Sequence, residues 1–372
     1  MNKAVIGLCF GDEGKGMFVD YLCSQSPNAL VVRFNGGHQA GHTVVTDKTR
    51  HVFSNFGSGT LRGCSTYWSK HCTIEPIGIM RELELLRNEG IPLNPKLYID
   101  AECPVTTPYD MASNEAIESH NLHGSCGVGF GATVEREENY YSLRFLDLFY
   151  PRIFEAKLSS IKNYYRYIKY PAFISADMKD NFIKKCLELI SSKEIELVFK
   201  RPVAEQYIYE GAQGLLLDQH YGFFPNVTRS NCGTVNLPQY EDFEFYLVTR
   251  GYQVRHGNGF ISNVRDSVIR KDSMETNHSH PYQGEFRRGI LDTDLLRYAM
   301  QRDHRIREAS KKNLVITCLD HLEKFRYMRH GFIAECDNKS DFIQLISDIL
   351  QIPSVYYSEN SNSRYVKNDS PK

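Results

Sequence analysis

The stretch Lys3-Ala4-Val5-Ile6-Gly7-Leu8-Cys9-Phe10-Gly11-Asp12-Glu13-Gly14-Lys15-Gly16 decides how the rest of this chain is read. Lys3 to Phe10 is an apolar run that Asp12 and Glu13 end. It predicts a short buried strand rather than the apolar part of a secretion signal. A glycine-rich turn follows, and then a helix from about Gly16 to Cys23. Glycines in such a turn let backbone N–H groups approach phosphate oxygens, and the helix N-terminus favours negative charge. Lys15 is suited to neutralising a phosphate, and Asp12 to holding Mg²⁺ or taking a proton. The run is not a Walker A loop, because Cys9 stands at its first glycine and Gly16 at its Ser/Thr. Taken alone, glycine and charge fit an ordinary strand–turn–helix with solvated charges equally well.

Ala29 to Phe34 predicts a second buried strand, running into Asn35-Gly36-Gly37-His38-Gln39-Ala40-Gly41-His42-Thr43. A lone loop histidine is more often a surface or capping residue than a catalyst. Two glycine-rich turns, each after a predicted strand, point instead to a ligand site, because ligands of open α/β sheets gather at the carboxyl ends of strands. Thr73 to Ile77 leads into a helix around Met80 to Glu89, and Leu97 to Asp100 predicts a short strand. Strand-like runs return at Gln206 to Tyr209, Phe245 to Val248, Leu314 to Thr317 and Ser354 to Tyr357. The alternation predicts an α/β fold with a mainly parallel central sheet flanked by helices. Phe154 to about Phe199 is rich in Lys, Tyr and Ile and poor in glycine, which predicts a helical insertion, about 151–204, outside the sheet. The tail, about 362–372, is rich in Ser, Asn and Lys and is expected to be loose. With no repeat or low-complexity linker, the 372 residues are expected to form a single domain.

Composition narrows the function. A net charge of −1 argues against a nucleic-acid partner. No stretch approaches the roughly 20 apolar residues of a membrane span. The ten cysteines, from Cys9 to Cys336, form neither a CxxC pair nor a Cys/His cluster with zinc spacing. Free thiols in a reducing cytoplasm are the expectation.

Gly11-Asp12-Glu13-Gly14-Lys15-Gly16 followed by Gly36-Gly37-His38-Gln39-Ala40-Gly41-His42-Thr43 resembles the adenylosuccinate synthetase family. Further matches follow in order at Glu210-Gly211-Ala212-Gln213-Gly214, Phe224-Pro225-Asn226-Val227-Thr228, Arg255-His256-Gly257-Asn258-Gly259 and Thr317-Cys318-Leu319-Asp320. The helical insertion and the tail match poorly. The resemblance implies a homodimeric ligase that uses a nucleoside triphosphate and Mg²⁺ to join L-aspartate to C6 of a purine nucleoside monophosphate, through a 6-phosphoryl intermediate. It implies Asp12 as the base for the purine N1 proton and, with Gly41, as a metal ligand. It implies His42 as the acid at O6 and the γ-phosphate, with Lys15 and Gln213 completing the catalytic set. Gly14, Lys15, Gly16, Gly41 and Thr43 would cradle the triphosphate, and Cys318, Asp320, Ser358 and Asn360 would flank its base. Gln39, Ser125, Cys126, Gln213, Thr228 and Arg255 would hold the acceptor nucleotide, and Arg287 the aspartate carboxylate.

The departures are as informative. Val128 stands where the family has an arginine after a threonine pair, here Ser125-Cys126. Tyr140 stands at an arginine that reaches the nucleotide phosphate across the dimer, with Arg136 and Arg144 as nearby replacements. An asparagine of the second motif is Gln39. The aspartate loop reads Gln283-Gly284-Glu285-Phe286-Arg287-Arg288-Gly289, with Glu285 where relatives place an arginine. Cys318 replaces a lysine whose stem packs on guanine, so weak discrimination for GTP is expected, with ATP or dATP also accepted. The chain is shortened between Leu322 and Phe342. These changes fit a specialised paralogue. They keep two acceptors in view, IMP and a guanine monophosphate (dGMP or GMP) giving a 2-amino-N6-succinyl product, as in relatives encoded by some viruses. A reading of another class is a non-catalytic nucleotide-binding paralogue. Retention of Asp12, Lys15, His42 and Gln213 argues against it, because a binder needs neither base nor acid.

Overall fold

The computed structural model describes residues 1–369 apart from 92–94, 122–123, 169–170, 266–267, 271–274, 276, 278 and 280–282. Its centre is a ten-stranded sheet. From one edge to the other the strands are Lys367–Asn368, Val355–Tyr357, Lys312–Thr317, Phe243–Arg250, Asn2–Gly7, Gln206–Gly214, Ala29–Arg33, Ser65–Trp68, Leu97–Asp100 and Ile195–Val198. Every pairing is parallel except that of Lys367–Asn368 with Val355–Tyr357. The middle strands are apolar almost without interruption: all of Ala29–Arg33 is buried, as are Ala4, Val5 and Ile6. That pattern suits strands covered on both faces, and it supplies most of the core. A four-stranded sheet of Tyr252–His256, Phe286–Asp292, Phe325–Arg329 and Phe332–Cys336 and a hairpin of His42–Val45 with Arg50–Phe53 complete the β structure among the described residues. The hairpin Phe325–Cys336 occupies the shortened region. Among the described residues no helix is long and apolar enough to cross a membrane.

The expected elements are present, with two corrections. The Phe154–Phe199 segment does form helices, Pro151–Tyr167 and Ala176–Ser191, but its end does not stay outside the sheet. Ile195–Val198 pairs in parallel with Leu97–Asp100 and becomes the edge strand. Ile195 and Leu197 join the apolar cluster beneath that edge, which draws the strand in. The tail is not loose through Asp369. Lys367–Asn368 adds to the sheet, Asp369 donates from its amide to the Val355 carbonyl, and the buried Ser363 hydroxyl bonds Asp20. Polar composition misled because these side chains close backbone and carboxylate contacts. Residues 370–372 lie outside the described residues.

The helical insertion is tied to the body through one buried carboxylate. Asp110 accepts from Arg136 Nε at 2.8 Å, from the Tyr165 hydroxyl at 2.7 Å, and from the Thr107 amide and hydroxyl at 2.6 and 2.7 Å. These residues join Pro108–Asn121, Phe130–Glu138 and Pro151–Tyr167. Arg136 is fully buried and also donates to the carbonyls of Val105 and Tyr141, so it cannot reach a neighbouring subunit's ligand. The idea that it replaces the missing trans arginine is thereby corrected. Asp110→Ala removes one of the two carboxylates paired with the buried Arg136, Glu137 at 2.9 Å being the other, together with the acceptor of Tyr165 and Thr107, and is expected to cost about 3 kcal/mol. A urea midpoint that moves by the equivalent of less than about 1 kcal/mol would show that the cluster does not hold the insertion.

Candidate active site

Five adjacent strands, Lys312–Thr317, Phe243–Arg250, Asn2–Gly7, Gln206–Gly214 and Ala29–Arg33, run parallel, so the loops leaving their carboxyl ends gather at one edge of the sheet. The first of the two glycine turns is built around Glu13. Its side chain is completely buried beneath the turn, where Oε1 accepts from the Cys9 amide at 2.6 Å and Oε2 from Lys15 Nζ at 2.9 Å. A Cβ at Gly7 would lie 2.0 Å from Glu13 Oε2, and one at Gly214 2.7 Å from Oε1, so both positions must be glycine. Lys15, expected to be free for phosphate, is only 3% exposed and already paired. The Thr317 hydroxyl donates to the Glu13 carbonyl at 2.7 Å, which stitches the donor-base strand to the turn.

Gly14 then caps the helix Lys15–Ser24 in a left-handed conformation, φ 86°, with no side-chain cap and no acidic residue in the first turn. By contrast Glu75, Ser175, Asp292 and Asn338 cap their helices with side chains. The N–H groups at Lys15–Ser24 thus keep no protein acceptor at their side-chain cap, which suits an anion. Asp12, φ 58°, leaves its carboxylate one-third exposed, 3.5 Å from His256 Nε2. Its carbonyl accepts from the buried Arg250 Nε at 2.5 Å, and Arg250 is in turn held by Glu275 and by the Tyr252 hydroxyl.

The second turn delivers His42. Its Nδ1 donates to Glu210 Oε1 at 2.6 Å, and Nε2 lies 3.3 Å from the Ala212 carbonyl. Glu210 also accepts from the Ser58 amide at 3.1 Å and from the Ser58 hydroxyl. Burial alone would raise the Glu210 pKa, but His42, Arg33 and Ser58 outweigh it and hold it at about 2. Burial lowers the His42 pKa, with Glu210 opposing. Arg33 is fully buried and opposite Glu210 in the sheet register; its guanidinium has no hydrogen-bond partner among the described residues and lies 5.2 Å over Trp68. The two turns touch: a Cβ at Gly16 would meet His42 Cβ at 2.7 Å, and one at Gly11 would meet Gln213 Oε1 at 3.0 Å. Asp12, Lys15, His42 and Gln213 are therefore brought together. Glu210, Ser58, Arg33, Arg250 and His256 were not singled out from the sequence. Glu210 and His256 stood inside matched motifs, whereas Ser58 and Arg33 carried no signal.

The residues expected at the acceptor also converge. Gly36 donates from its amide to Ser230 Oγ at 2.9 Å, which sets Thr228–Ser230 against the second turn. His38 Nε2 donates to the Val128 carbonyl at 2.9 Å, and the Ser125 hydroxyl accepts from Asn114 Nδ2 at 2.8 Å, with Cys126 beside it. The Gln39 amide has neither atom hydrogen-bonded, although both are buried. Arg255 departs from expectation. It is 2% exposed, its Nη1 and Nη2 donate to the carbonyls of Phe260 and Asn226, and it stacks 4.4 Å over Phe10. Both Nη groups thereby anchor its loop. Burial, with Arg287 opposite it in register, pushes its pKa down to about 10. Arg287 is half-buried and donates from Nη2 to the Gly259 carbonyl at 2.9 Å.

At the donor-base end, Cys318 takes a left-handed φ of 56° and Asp320 remains 39% exposed. Leu319 donates from its amide to the Ser358 carbonyl, which puts Ser358 and Asn360 beside this turn. The Ser358 hydroxyl donates to the Asn360 carbonyl at 2.6 Å. Gly41 is exposed, and Thr43 is half-buried in the hairpin strand. No cluster of three or more His, Cys, Asp or Glu suited to a metal occurs among the described residues. Mg²⁺ bound to a triphosphate needs only one or two protein carboxylates and takes its other ligands from phosphate and water. The exposed Asp12 carboxylate and the open Gly41 backbone fit that limited demand.

The family model for adenylosuccinate synthetase matches residues 4–361. Adenylosuccinate synthetase 1 of Pseudoalteromonas translucida is 31% identical over 327 residues, covering 81% of this chain and 74% of that protein. The Legionella pneumophila (strain Lens) enzyme is 30% identical over 349 residues, covering 88% and 79%. Among solved structures, the fully ligated adenylosuccinate synthetase from Plasmodium falciparum has a TM-score of 0.77 at 18% identity, covering 98% of this chain and 99% of that one. The succinoaminodeoxyadenylate synthetase (PurZ) of cyanophage S-2L, bound to dGMP and dATP as an energy donor, has a TM-score of 0.63 at 15% identity, covering 100% and 97%. At these identities the two structures share the fold. With a match running through both glycine turns and almost the whole sheet, this chain belongs to the adenylosuccinate synthetase family of C–N ligases.

Proposed function

We propose that this enzyme uses a nucleoside triphosphate to join L-aspartate to C6 of a 6-oxopurine nucleoside monophosphate, with IMP as the leading acceptor. The observation that carries this reading is the packing of a carboxylate and a carboxylate-oriented histidine around one phosphate-ready helix start, Gly16 against His42 and Gly11 against Gln213. Asp12 takes the purine N1 proton, which moves negative charge onto O6. O6 attacks the γ-phosphorus, and the bond to the β-phosphate breaks. The amine of aspartate then adds at C6, and inorganic phosphate leaves. His42, aligned through Nδ1 by Glu210, presents Nε2 to the oxygen on which charge develops. The uncapped helix N-terminus faces the phosphates. Mg²⁺, held by Asp12 and the Gly41 backbone, would neutralise charge on the triphosphate. Arg287 is the cation for an aspartate carboxylate.

The second acceptor in view is a guanine monophosphate. Glu285 favours it, because its charge lies close enough to Arg287 to act on the guanidinium, at the place where the resemblance expects an arginine reaching the ribose. The exposed Asp320, without a lysine stem at Cys318, supports loose selection of the donor base. A homodimer is proposed on the resemblance, and the exposed aromatic surface of Tyr140, Tyr141 and Tyr150 supports it.

Three measurements follow from this arrangement. Asp12→Asn and His42→Asn are each expected to lower kcat by about two orders of magnitude or more, with stability little changed. Near-normal turnover in either variant removes that residue from its role. Glu210 titrates at about 2 in the fold against 4.5 as a free side chain, so its contribution to stability is complete above pH 4.5 and lost as pH falls toward 2. Glu210→Gln should therefore flatten the loss of stability across that window, read by chemical denaturation at each pH, and an unchanged slope refutes the assignment. Finally, IMP, GMP, dGMP and XMP tested against GTP, ATP and dATP with aspartate, read by product mass and kcat/KM, should favour IMP and show GTP preferred by less than about a thousandfold. A higher kcat/KM for dGMP or GMP overturns the IMP assignment and leaves the ligase chemistry standing.

A further inference from the structure

The acceptor end of the site, as proposed above, lacks a charge. A nucleoside monophosphate carries a dianion, yet Gln39, Ser125, Cys126 and Thr228 are all neutral. The nearby cations are mostly engaged. Arg136 is buried on Asp110, and Arg255 is buried on two carbonyls. Arg144 donates from Nη1 to the Glu102 carbonyl and pairs through Nη2 with Glu137, both at 3.0 Å.

Arg229 is held differently. It lies between Thr228 and Ser230, and Ser230 is fixed to Gly36, whose own neighbourhood includes the Gln39 side-chain nitrogen, 3.3 Å from a Cβ built at Gly36. Its guanidinium extends to the later turns of the helix Phe130–Glu138, where Nη1 meets Glu135 at 3.2 Å and Glu138 at 3.6 Å. The same helix begins after the Ser125–Gly129 loop, roughly 8–12 Å away at about 1.5 Å per residue, a distance a long arginine side chain shortens by changing rotamer. All three side chains are about half exposed, at 45%, 46% and 63%. Exposed pairs of this kind are worth little, about 0–1 kcal/mol, so they leave the guanidinium uncommitted. A phosphate dianion offers a stronger, bidentate partner.

We infer that Arg229 is the cation that binds the 5′-phosphate of the acceptor nucleotide, released from Glu135 and Glu138 as the nucleotide enters. The inference rests on the proposed acceptor role of Thr228 and its neighbours. Glu135 and Glu138 then act as a holding pair that competes with the phosphate, so binding carries an exchange of carboxylate for phosphate at one guanidinium.

The test uses the full-length enzyme. In Arg229→Gln, KM for IMP or dGMP should rise about tenfold or more, while kcat stays within about threefold, as expected for loss of a charge-assisted contact made equally in ground and transition states. Arg229→Lys should recover part of the loss, and Glu135→Gln with Glu138→Gln should lower KM. Binding of inosine, which has no phosphate, should not distinguish Arg229→Gln from wild type. A KM for Arg229→Gln within about twofold of wild type, or an equal loss with inosine, overturns the inference. Calorimetry separates it from the reading beneath it. If wild type binds IMP or dGMP without ligating aspartate, the ligase assignment falls, and weaker binding by Arg229→Gln still upholds the contact. If wild type neither binds nor ligates, both fall.

Discussion

The ion pair of Glu13 and Lys15 beneath the first turn is the constraint on which the site depends. A carboxylate without exposure is stable only when its oxygens are satisfied, and here one oxygen takes the Cys9 amide and the other the Lys15 ammonium. The arrangement dictates glycine at Gly7, where a side chain would occupy the space of the Glu13 carboxyl, and contributes at Gly214, where a Cβ would meet the Cys9 carbonyl at 2.2 Å and Glu13 Oε1 at 2.7 Å. It also forces the backbone through left-handed conformations at Gly11, Asp12 and Gly14, which turns the Asp12 carboxylate outward and leaves the following helix without a side-chain cap. The part-exposed Asp12 carboxylate and the helix start without a side-chain cap thus flank one buried charge.

The histidine side is organised by the same economy of buried charge. Glu210 is anionic inside the sheet because His42, Arg33 and Ser58 surround it, and it fixes which nitrogen of His42 carries the hydrogen that points inward. Arg33 contributes through its field and its position over Trp68, since its guanidinium makes no hydrogen bond among the described residues. Asp12 and His42 therefore belong to separate electrostatic groups, joined by glycine contacts where their turns meet.

What the sequence disclosed follows from what side chains encode locally. Buried parallel strands announce themselves by unbroken apolar runs, and Ala29 to Phe34 or Leu97 to Asp100 could be read within a residue or two. Short strands of mixed polarity could not: Ser65–Trp68 is set by its pairing with Ala29–Arg33, and the hairpin Phe325–Cys336 is only partly buried or exposed along its length, with no buried apolar run to mark it. In the site, motif residues that present backbone or carboxylate outward were legible, and Asp12, His42 and Gln213 do come together. The two carbonyl contacts of Arg255 were not legible, because an arginine in a glycine-rich run says nothing about which groups its guanidinium faces. Lys15 shows the same ambiguity on a smaller scale, its charge directed inward by a neighbour two residues away.

The first strand lies in the middle of the sheet, and its partners begin only at residues 206 and 243. During synthesis Asn2–Gly7 has no sheet neighbour to pair with until Gln206–Gly214 and Phe243–Arg250 have been made. Its apolar face must be shielded meanwhile, and long-range parallel pairing of this kind is slow and exposed to aggregation. The turn that follows has no fixed shape before Gly214 closes over Glu13. A site built from the loops of these central strands is consequently completed only after Gln206–Gly214 has joined Asn2–Gly7.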